Sequence, residues 1–185
     1  MKIGIDFDNT ISNYEKILYK LAIKKKIIKP EVTNFNKLII KKNILNKTKS
    51  IEEWKKIQSQ IYGKYMLEAK LFEGFAKFIL LCNYKKIEVF IVSHKTKYPH
   101  YNFDKIDLRN QAVLWMKKNN FFKTNFLNLK IENIFFESSL NKKINTIKKI
   151  QCNYFIDDLE KVFNHKKFPN KTKKILFSNY KNKDI

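Results

Sequence analysis

The apolar positions of this chain follow two periods, one typical of buried strands and one typical of amphipathic helices. Short apolar runs bounded by turn residues predict strands that begin near residues 2, 87, 134, 154 and 174. Between these runs, apolar side chains recur every three or four residues, which predicts helices with one buried face. Strands that alternate with helices favour a parallel sheet flanked by helices, so we predict an α/β fold.

A long stretch between the first two predicted strands carries only helical patterns. Within it, Ser50 and Glu53 form a capping box, which predicts the start of a helix. We therefore predict a helical insertion over residues 13–70. The remaining residues, 1–12 and 71–185, are predicted to form the core that contains the sheet.

Polar side chains stand at the carboxyl ends of three predicted strands. They are Asp6, Asp8 and Thr10 after the first strand, Ser93 after the second, and Asp157 and Asp158 after the fourth. In open α/β sheets, ligands bind at this edge, near the reversal in strand order. Close carboxylates repel each other by up to about 4 kcal/mol a pair, so a hard divalent cation such as Mg²⁺ is expected among them. Taken alone, the pair Asp157 and Asp158 would also suit the cap of a following helix.

The first strand and its turn resemble a known signature. Ile3-Gly4-Ile5-Asp6-Phe7-Asp8-Asn9-Thr10 matches the DxDxT pattern of the haloacid dehalogenase superfamily, and Ser93 and the Asp157-Asp158 pair follow in that family's order. The resemblance covers most of the chain. It implies a Rossmann-like catalytic core, with residues 13–70 as a small helical cap inserted after the first strand.

The resemblance implies a Mg²⁺-dependent phosphatase that works through an aspartyl-phosphate. Asp6 would be the nucleophile, and Asp8 the general acid and then the general base. Ser93 would hydrogen-bond the phosphoryl group. Mg²⁺ would be held by Asp6, the backbone carbonyl of Asp8 and Asp157, with Asp158 orienting a metal-bound water. Superfamily members with other activities differ at the position of Asp8, so Asp8 favours a phosphatase.

The family also uses one lysine that bridges the nucleophile and the phosphate, at the start of the helix before the last motif. We assign this role to Lys143, which precedes an isoleucine stripe, with Lys142 as the near alternative. Thr10 is expected to steady its turn through the hydroxyl and to lie among the substrate-binding residues with His94 and Lys95. For His94, a local hydrogen bond is the alternative to a substrate contact.

The charge changes this picture only in part. The chain has 39 Lys and Arg against 17 Asp and Glu, a formal net charge of +22, which would ordinarily indicate nucleic acid or an anionic membrane as partner. However, Arg109 is the only arginine, and the lysines are spread along the whole chain. Compositional bias is therefore the preferred interpretation and a polyanion-binding surface the second. Electrostatic attraction of a small phosphorylated substrate is compatible with both interpretations.

Glycine and cysteine usage excludes further classes. Gly4, Gly63 and Gly74 stand too far apart for a phosphate-binding loop or a dinucleotide fingerprint. Cys82 and Cys152 show no partner pattern, which is typical of reduced thiols in a cytosolic protein. No apolar stretch approaches the roughly 18 residues of a membrane span. We therefore expect a soluble cytoplasmic protein that does not bind a membrane.

The leading hypothesis is a Mg²⁺-dependent phosphatase that acts on a small soluble phosphomonoester. The segment after Ser93 and the Trp-bearing helix that follows resemble cytosolic 5'-deoxynucleotidases, so a nucleoside monophosphate and a sugar phosphate are both candidate substrates. One alternative is a nucleic-acid end-processing phosphatase that uses the lysine surface. The other is a non-catalytic binding module on the same fold.

Overall fold

The computed structural model describes residues 1–30, 37–101 and 105–178. These residues form two compact units. The first unit comprises Met1–Ser12, Leu71–Thr96 and Asn119–Ile185, and the second comprises Asn13–Lys70 and Lys97–Lys118. No helix in the described ranges is long and apolar enough to cross a lipid bilayer.

Seven strands are present in the described residues. They are β1 (Lys2–Ile5), β2 (Ser12–Asn13), β3 (Lys70–Leu71), β4 (Glu88–His94), β5 (Ile134–Glu137), β6 (Tyr154–Asp157) and β7 (Lys173–Leu176). Five of them form one parallel sheet in the order β5-β4-β1-β6-β7, and β2 pairs with β3. The α/β class predicted from the sequence is confirmed. Because β4 and β6 lie on opposite sides of β1, the end of β1 is the point where the strand order reverses.

Seven α-helices accompany the strands in the described part of the chain. They are α1 (Glu15–Lys24), α2 (Lys37–Thr48), α3 (Ile51–Tyr62), α4 (Phe75–Tyr84), α5 (Leu108–Lys118), α6 (Leu140–Ile150) and α7 (Glu160–Phe163). Short 3₁₀ turns cover Met66–Glu68 and Ile131–Asn133. Helices α4, α6 and α7 belong to the first unit, and the other four belong to the second.

The core of the first unit lies between the sheet and the helices α6 and α7. Its buried members are Phe90, Val92, Ile144, Ile147, Cys152, Phe155, Val162, Phe163 and Phe168. Gly4 lets the ring of Phe155 approach the backbone of β1, since a Cβ at Gly4 would lie only 2.5 Å from Cδ2 of that ring. The central strand is therefore packed too tightly at this position for any larger residue.

The register of the sheet brings the ends of its central strands to one level. Ile5 of β1 stands opposite Ile91 of β4 and Ile156 of β6. The backbone N–H of Asp6 then donates to the carbonyl of Ile156 at 2.9 Å. The residues that follow β1 and β6 therefore begin side by side, as the sequence predicted for its polar strand ends.

The second unit packs the helical insertion with a later segment. Residues 97–118 belong to this unit, whereas the sequence prediction assigned them to the core. The reason is tertiary: in α5, the buried Trp115 donates its indole N–H to the carbonyl of Ala69 at 2.9 Å, and Lys118 donates to the carbonyl of Leu67. Local periodicity predicts the buried face of α5 but not the element that covers it.

The start of α3 follows the sequence prediction with one difference. The Ser50 hydroxyl accepts a hydrogen bond from the backbone N–H of Glu52 at 3.2 Å and caps the helix. The carboxylate of Glu53, which a capping box directs back to the N-cap, instead pairs with Lys56 at 2.7 Å. The cap therefore starts the helix with one of the two bonds of the box.

Candidate active site

The turn after β1 fixes the first carboxylates of the site. Asn9 adopts a φ of 62°, which asparagine tolerates better than most residues. Two backbone N–H groups, one of them from Ser12, donate to the carbonyl of Phe7 at 3.0 Å, and the Ser12 hydroxyl donates to the same oxygen at 3.0 Å. These bonds reverse the chain directly beyond the sheet and hold Asp6 and Asp8 at its carboxyl edge.

Three carboxylates meet at this edge within the described residues. Asp6, Asp157 and Asp158 each offer one oxygen, and these oxygens lie within 4.8 Å of one another. Asp6 is 5% exposed and Asp157 is fully buried. Asp157 ends β6, the neighbour of β1 in the sheet, so the fold itself brings Asp6 and Asp157 together. We call these three residues the acidic group.

A buried lysine lies against the acidic group. Lys143 is 2% exposed, and its Nζ lies 2.5 Å from Oδ1 of Asp6 and 2.6 Å from Oδ2 of Asp157. The N-cap Ser139, whose hydroxyl accepts from the backbone N–H of Lys142, starts α6 so that Lys143 falls in its first turn. Lys142 is exposed. Of the two candidate lysines, the structure therefore brings Lys143 to the carboxylates.

The electrostatics of the acidic group follow from its burial. Burial and, second to it, the neighbouring Asp6 together raise the pKa of Asp157 to about 7, with Lys143 opposing this shift. For Lys143, burial opposes the charged form, but Asp6 and Asp157 outweigh it and raise the pKa of the ammonium. Three carboxylates against one ammonium leave an excess of negative charge, which a bound cation would neutralise.

Asp8 stands apart from the acidic group in a second ion pair. Nζ of Lys95 donates to both carboxylate oxygens of Asp8, at 2.8 and 2.9 Å. Lys95 is 2% exposed, its ammonium lies 5.3 Å from the centroid of the Phe7 ring, and its backbone N–H donates to the carbonyl of Glu137. The sequence assigned Lys95 to the substrate, whereas the structure places its ammonium on Asp8.

Ser93 and His94 end β4 on the other side of β1. Ser93 is buried, and His94 lies at the surface. Partial desolvation lowers the pKa of His94, a hydrogen bond with the backbone of Ser138 opposes this shift, and the nearby Lys143 adds to it. The substrate contact expected of His94 stays a prediction.

Thr10 does not steady its turn through a hydrogen bond, as the sequence predicted it would. The residue is 4% exposed, and within the described residues its hydroxyl has no hydrogen-bond partner. The turn is instead held by the hydroxyl of Ser12. The prediction that the Thr10 hydroxyl steadies its turn is therefore wrong. Thr10 lies in the wall of a mainly apolar cavity of about 260 Å³.

Two serines that shape the site were missed by the sequence reasoning. Ser139 caps α6 and so places Lys143, and a serine directly before a helical stripe is a signal that could have predicted it. Ser12 closes the turn that carries Asp8. It has no comparable signal, because its bond depends on the turn geometry.

Comparison with known proteins adds little to this description. No protein-family model matches the sequence, and no curated protein matches it. Among solved structures, the chain is similar to a haloacid dehalogenase-like family hydrolase from Xanthomonas campestris. That match has 9% identity, covers 86% of this chain and 74% of that chain, and has a TM-score of 0.44. A similarity this low establishes neither family nor activity, so the function is argued from the residues of the site.

Proposed function

We propose that this chain is a phosphatase of the haloacid dehalogenase type that hydrolyses a small soluble phosphomonoester with Mg²⁺. The observation that carries the proposal is the acidic group at the reversal in strand order, with the ammonium of Lys143 hydrogen-bonded to both Asp6 and Asp157. Buried charges at the ligand-binding edge of a sheet are typical of catalytic sites. The three residues of the acidic group all belong to the motifs of the sequence resemblance.

The donor atoms of the acidic group fit Mg²⁺. Asp6, Asp157 and Asp158 supply carboxylate oxygens, and the resemblance adds the backbone carbonyl of Asp8. Oxygen ligands of this kind, completed by water, are those that Mg²⁺ prefers. Bound there, the ion would offset negative charge on the phosphoryl oxygens.

Asp6 is the proposed nucleophile. One of its carboxylate oxygens attacks phosphorus, the ester P–O bond breaks, and the phosphoryl group is carried on Asp6. Water then attacks phosphorus, the bond to Asp6 breaks, and inorganic phosphate leaves with the carboxylate restored. Lys143 holds Asp6 in place, because its ammonium lies 2.5 Å from Oδ1 of Asp6.

Asp8 is the proposed proton carrier. It gives a proton to the leaving oxygen and later takes one from the attacking water. Lys95 now contacts both carboxylate oxygens of Asp8, so Lys95 is proposed as a positioning residue for Asp8. At least one of these oxygens has to leave Lys95 before it can carry a proton, and we expect the pair to open when substrate binds.

The proposed substrate is a nucleoside monophosphate or a sugar phosphate. Ser93, buried at the end of β4, would hydrogen-bond the phosphoryl group, and His94 beside it would contact the substrate. The net charge of +22 favours any anionic substrate. The charge therefore supports a phosphoester but does not select between the two classes.

A phosphate-release panel with Mg²⁺ tests the proposal. It contains nucleoside monophosphates, sugar phosphates and end-phosphorylated oligonucleotides, and we expect release from a free monophosphate. A preference for oligonucleotides that falls steeply with salt would support the end-processing alternative instead. Release from no compound, together with binding of RNA, would support the non-catalytic alternative.

Two variants test the mechanism on the best substrate of the panel. Asp6→Asn keeps the shape of the side chain but removes the nucleophile, so phosphate release should fall by about a thousandfold or more. Glu132→Gln, at an exposed carboxylate of the first unit, is the matched control and should retain the wild-type rate. An Asp6→Asn protein with most of its activity would eliminate Asp6 as the nucleophile.

The role of Asp8 is tested by the leaving group. Asp8→Asn should slow a substrate with a poor alkoxide leaving group much more than p-nitrophenyl phosphate, because nitrophenolate needs no proton in order to leave. Equal losses on both substrates would remove the acid role from Asp8.

A further inference from the structure

A concave basic surface lies at the amino edge of the parallel sheet, the opposite edge from the acidic group. Its volume is about 760 Å³, and its charged lining residues are Lys2, Lys148, Lys166, Lys167, Lys171 and Glu88. We call this surface the amino-edge pocket. All of its residues belong to the first unit.

Two strands, the last turn of α6 with Lys148, and one loop build the amino-edge pocket. Lys2 and Glu88 are the first residues of β1 and β4, and the loop before β7 carries Lys166, Lys167 and Lys171. The hydroxyl of Thr172 fixes the end of this loop by donating to the carbonyl of Cys152 at 2.7 Å. Four residues of extended chain, about 13 Å, separate Lys2 from Asp6, so Asp6 does not reach a ligand in this pocket.

The positive charge of the pocket exceeds what a uniform lysine bias would give. A neighbouring cavity of about 500 Å³ at the same edge shares Glu88 with it. In that cavity, Lys86 and Lys130 are balanced by Glu88 and Glu132. The amino-edge pocket instead holds five lysines against one glutamate. Two adjacent cavities in one chain thus differ in charge, and the excess is local.

The lysines of the amino-edge pocket are not neutralised by the protein. Among the described residues, none of the five forms an ion pair with a carboxylate. Nζ of Lys2 donates to the carbonyl of Ile150, and the other four lysines are exposed. Like charges gathered in a concave wall focus the positive potential there, and an anion with several charges would relieve their repulsion.

We propose that the amino-edge pocket binds a small molecule with several linked phosphates, of the class of nucleoside polyphosphates and inorganic polyphosphate. Its volume falls in the range of small-ligand sites, about 300–1,000 Å³. Lysines act as flexible point charges that suit a chain of phosphates.

Calorimetric titration with inorganic tripolyphosphate tests this proposal. Chelator in the buffer removes divalent metal, so metal-dependent phosphate binding at the acidic group does not contribute. The pocket variant is Lys166→Gln/Lys167→Gln/Lys171→Gln. The control is Lys77→Gln/Lys85→Gln/Lys123→Gln, which removes the same charge from exposed lysines of the first unit outside the pocket. We expect the pocket variant to weaken binding by about tenfold or more, and the control by less than about threefold.

Three outcomes would overturn the proposal. Equal weakening by both triple variants would assign the binding to the general lysine charge. An absence of binding at millimolar tripolyphosphate and physiological salt would exclude the site. Tighter binding of a single-stranded oligonucleotide than of tripolyphosphate, lost in the pocket variant, would make the occupant a nucleic acid. Thermal unfolding confirms that each variant is folded, and Lys166→Gln/Lys171→Gln replaces the pocket variant should it unfold.

Discussion

The two edges of the parallel sheet hold their charges in opposite ways. At the carboxyl edge, the buried Lys143 hydrogen-bonds both Asp6 and Asp157. At the amino edge, the five lysines of the amino-edge pocket face a single glutamate, and four of them are exposed. One short sheet therefore separates a buried, paired set of charges from an open, unpaired set.

The difference shows what burial demands of a charge. Removing an ion from water costs several kcal/mol, so buried charges persist only with opposite partners at hydrogen-bond distance. Exposed like charges are tolerated because water and salt screen them over about 10 Å. The buried set therefore holds its side chains in defined positions, which the proposed nucleophilic catalysis would require. The open set supplies an attractive field, which needs no such precision.

We expect the largest loss of stability from removal of Lys143, the buried cation at the carboxyl edge. Lys143→Met keeps a side chain of similar length but leaves Asp6 and Asp157 without their cation, so the free energy of unfolding should fall by about 3–5 kcal/mol in metal-free buffer. Urea denaturation measures the change. Lys142→Met is the matched control at the exposed neighbour and should change stability by less than about 0.5 kcal/mol. Similar losses of stability in the two variants would show that burial does not determine how much a lysine charge contributes to stability.

Cys152 lies at the amino edge of the sheet, and its buried thiol carries no charge. Burial raises the pKa of its thiol from 9.0 to about 11. Between about pH 9 and pH 11 the unfolded chain releases this proton while the native chain keeps it, so stability should fall as pH rises, by about 2–3 kcal/mol in total. Urea denaturation across this range should show that loss in the wild type beyond any loss in Cys152→Ala. Parallel profiles would contradict the burial of the thiol.

Gly4 lies in β1, the strand that runs from the amino edge of the sheet to the carboxyl edge, so its replacement tests the packing between the two edges. A Cβ at this position would lie 2.5 Å from the ring of Phe155 and 2.9 Å from Sγ of Cys152, so Gly4→Ala should cost about 1–3 kcal/mol. Gly74→Ala is the control for backbone strain alone, since Gly74 has a φ of 84° and no atom within 4 Å of its Cβ position, and it should cost about 1 kcal/mol. Thermal unfolding compares the two. Addition of Phe155→Leu should recover stability in the Gly4→Ala chain, and a failure to do so would exclude the clash.

Much of the fold and of the candidate site follows from local signals. The five strands of the sheet could be predicted because each apolar run is short and ends in turn residues. The placement of Asp6, Ser93 and Asp157 at the carboxyl edge could be predicted because parallel strands end at a common edge. The resemblance implies a lysine at the start of the helix before the last motif, and the isoleucine stripe narrowed the choice to Lys143 or Lys142. These features depend on neighbours within a few residues.

Only the tertiary structure decided which distant residues meet. Asp8 and Lys95 pair across 87 positions of sequence. Residues 97–118 join the helical unit through backbone carbonyls that any sequence carries. Five lysines among 38 converge on one pocket because the amino end of β1, the last turn of α6 and a single loop come together there. A periodic pattern states which side of an element is buried, but strand order and packing determine what lies against it.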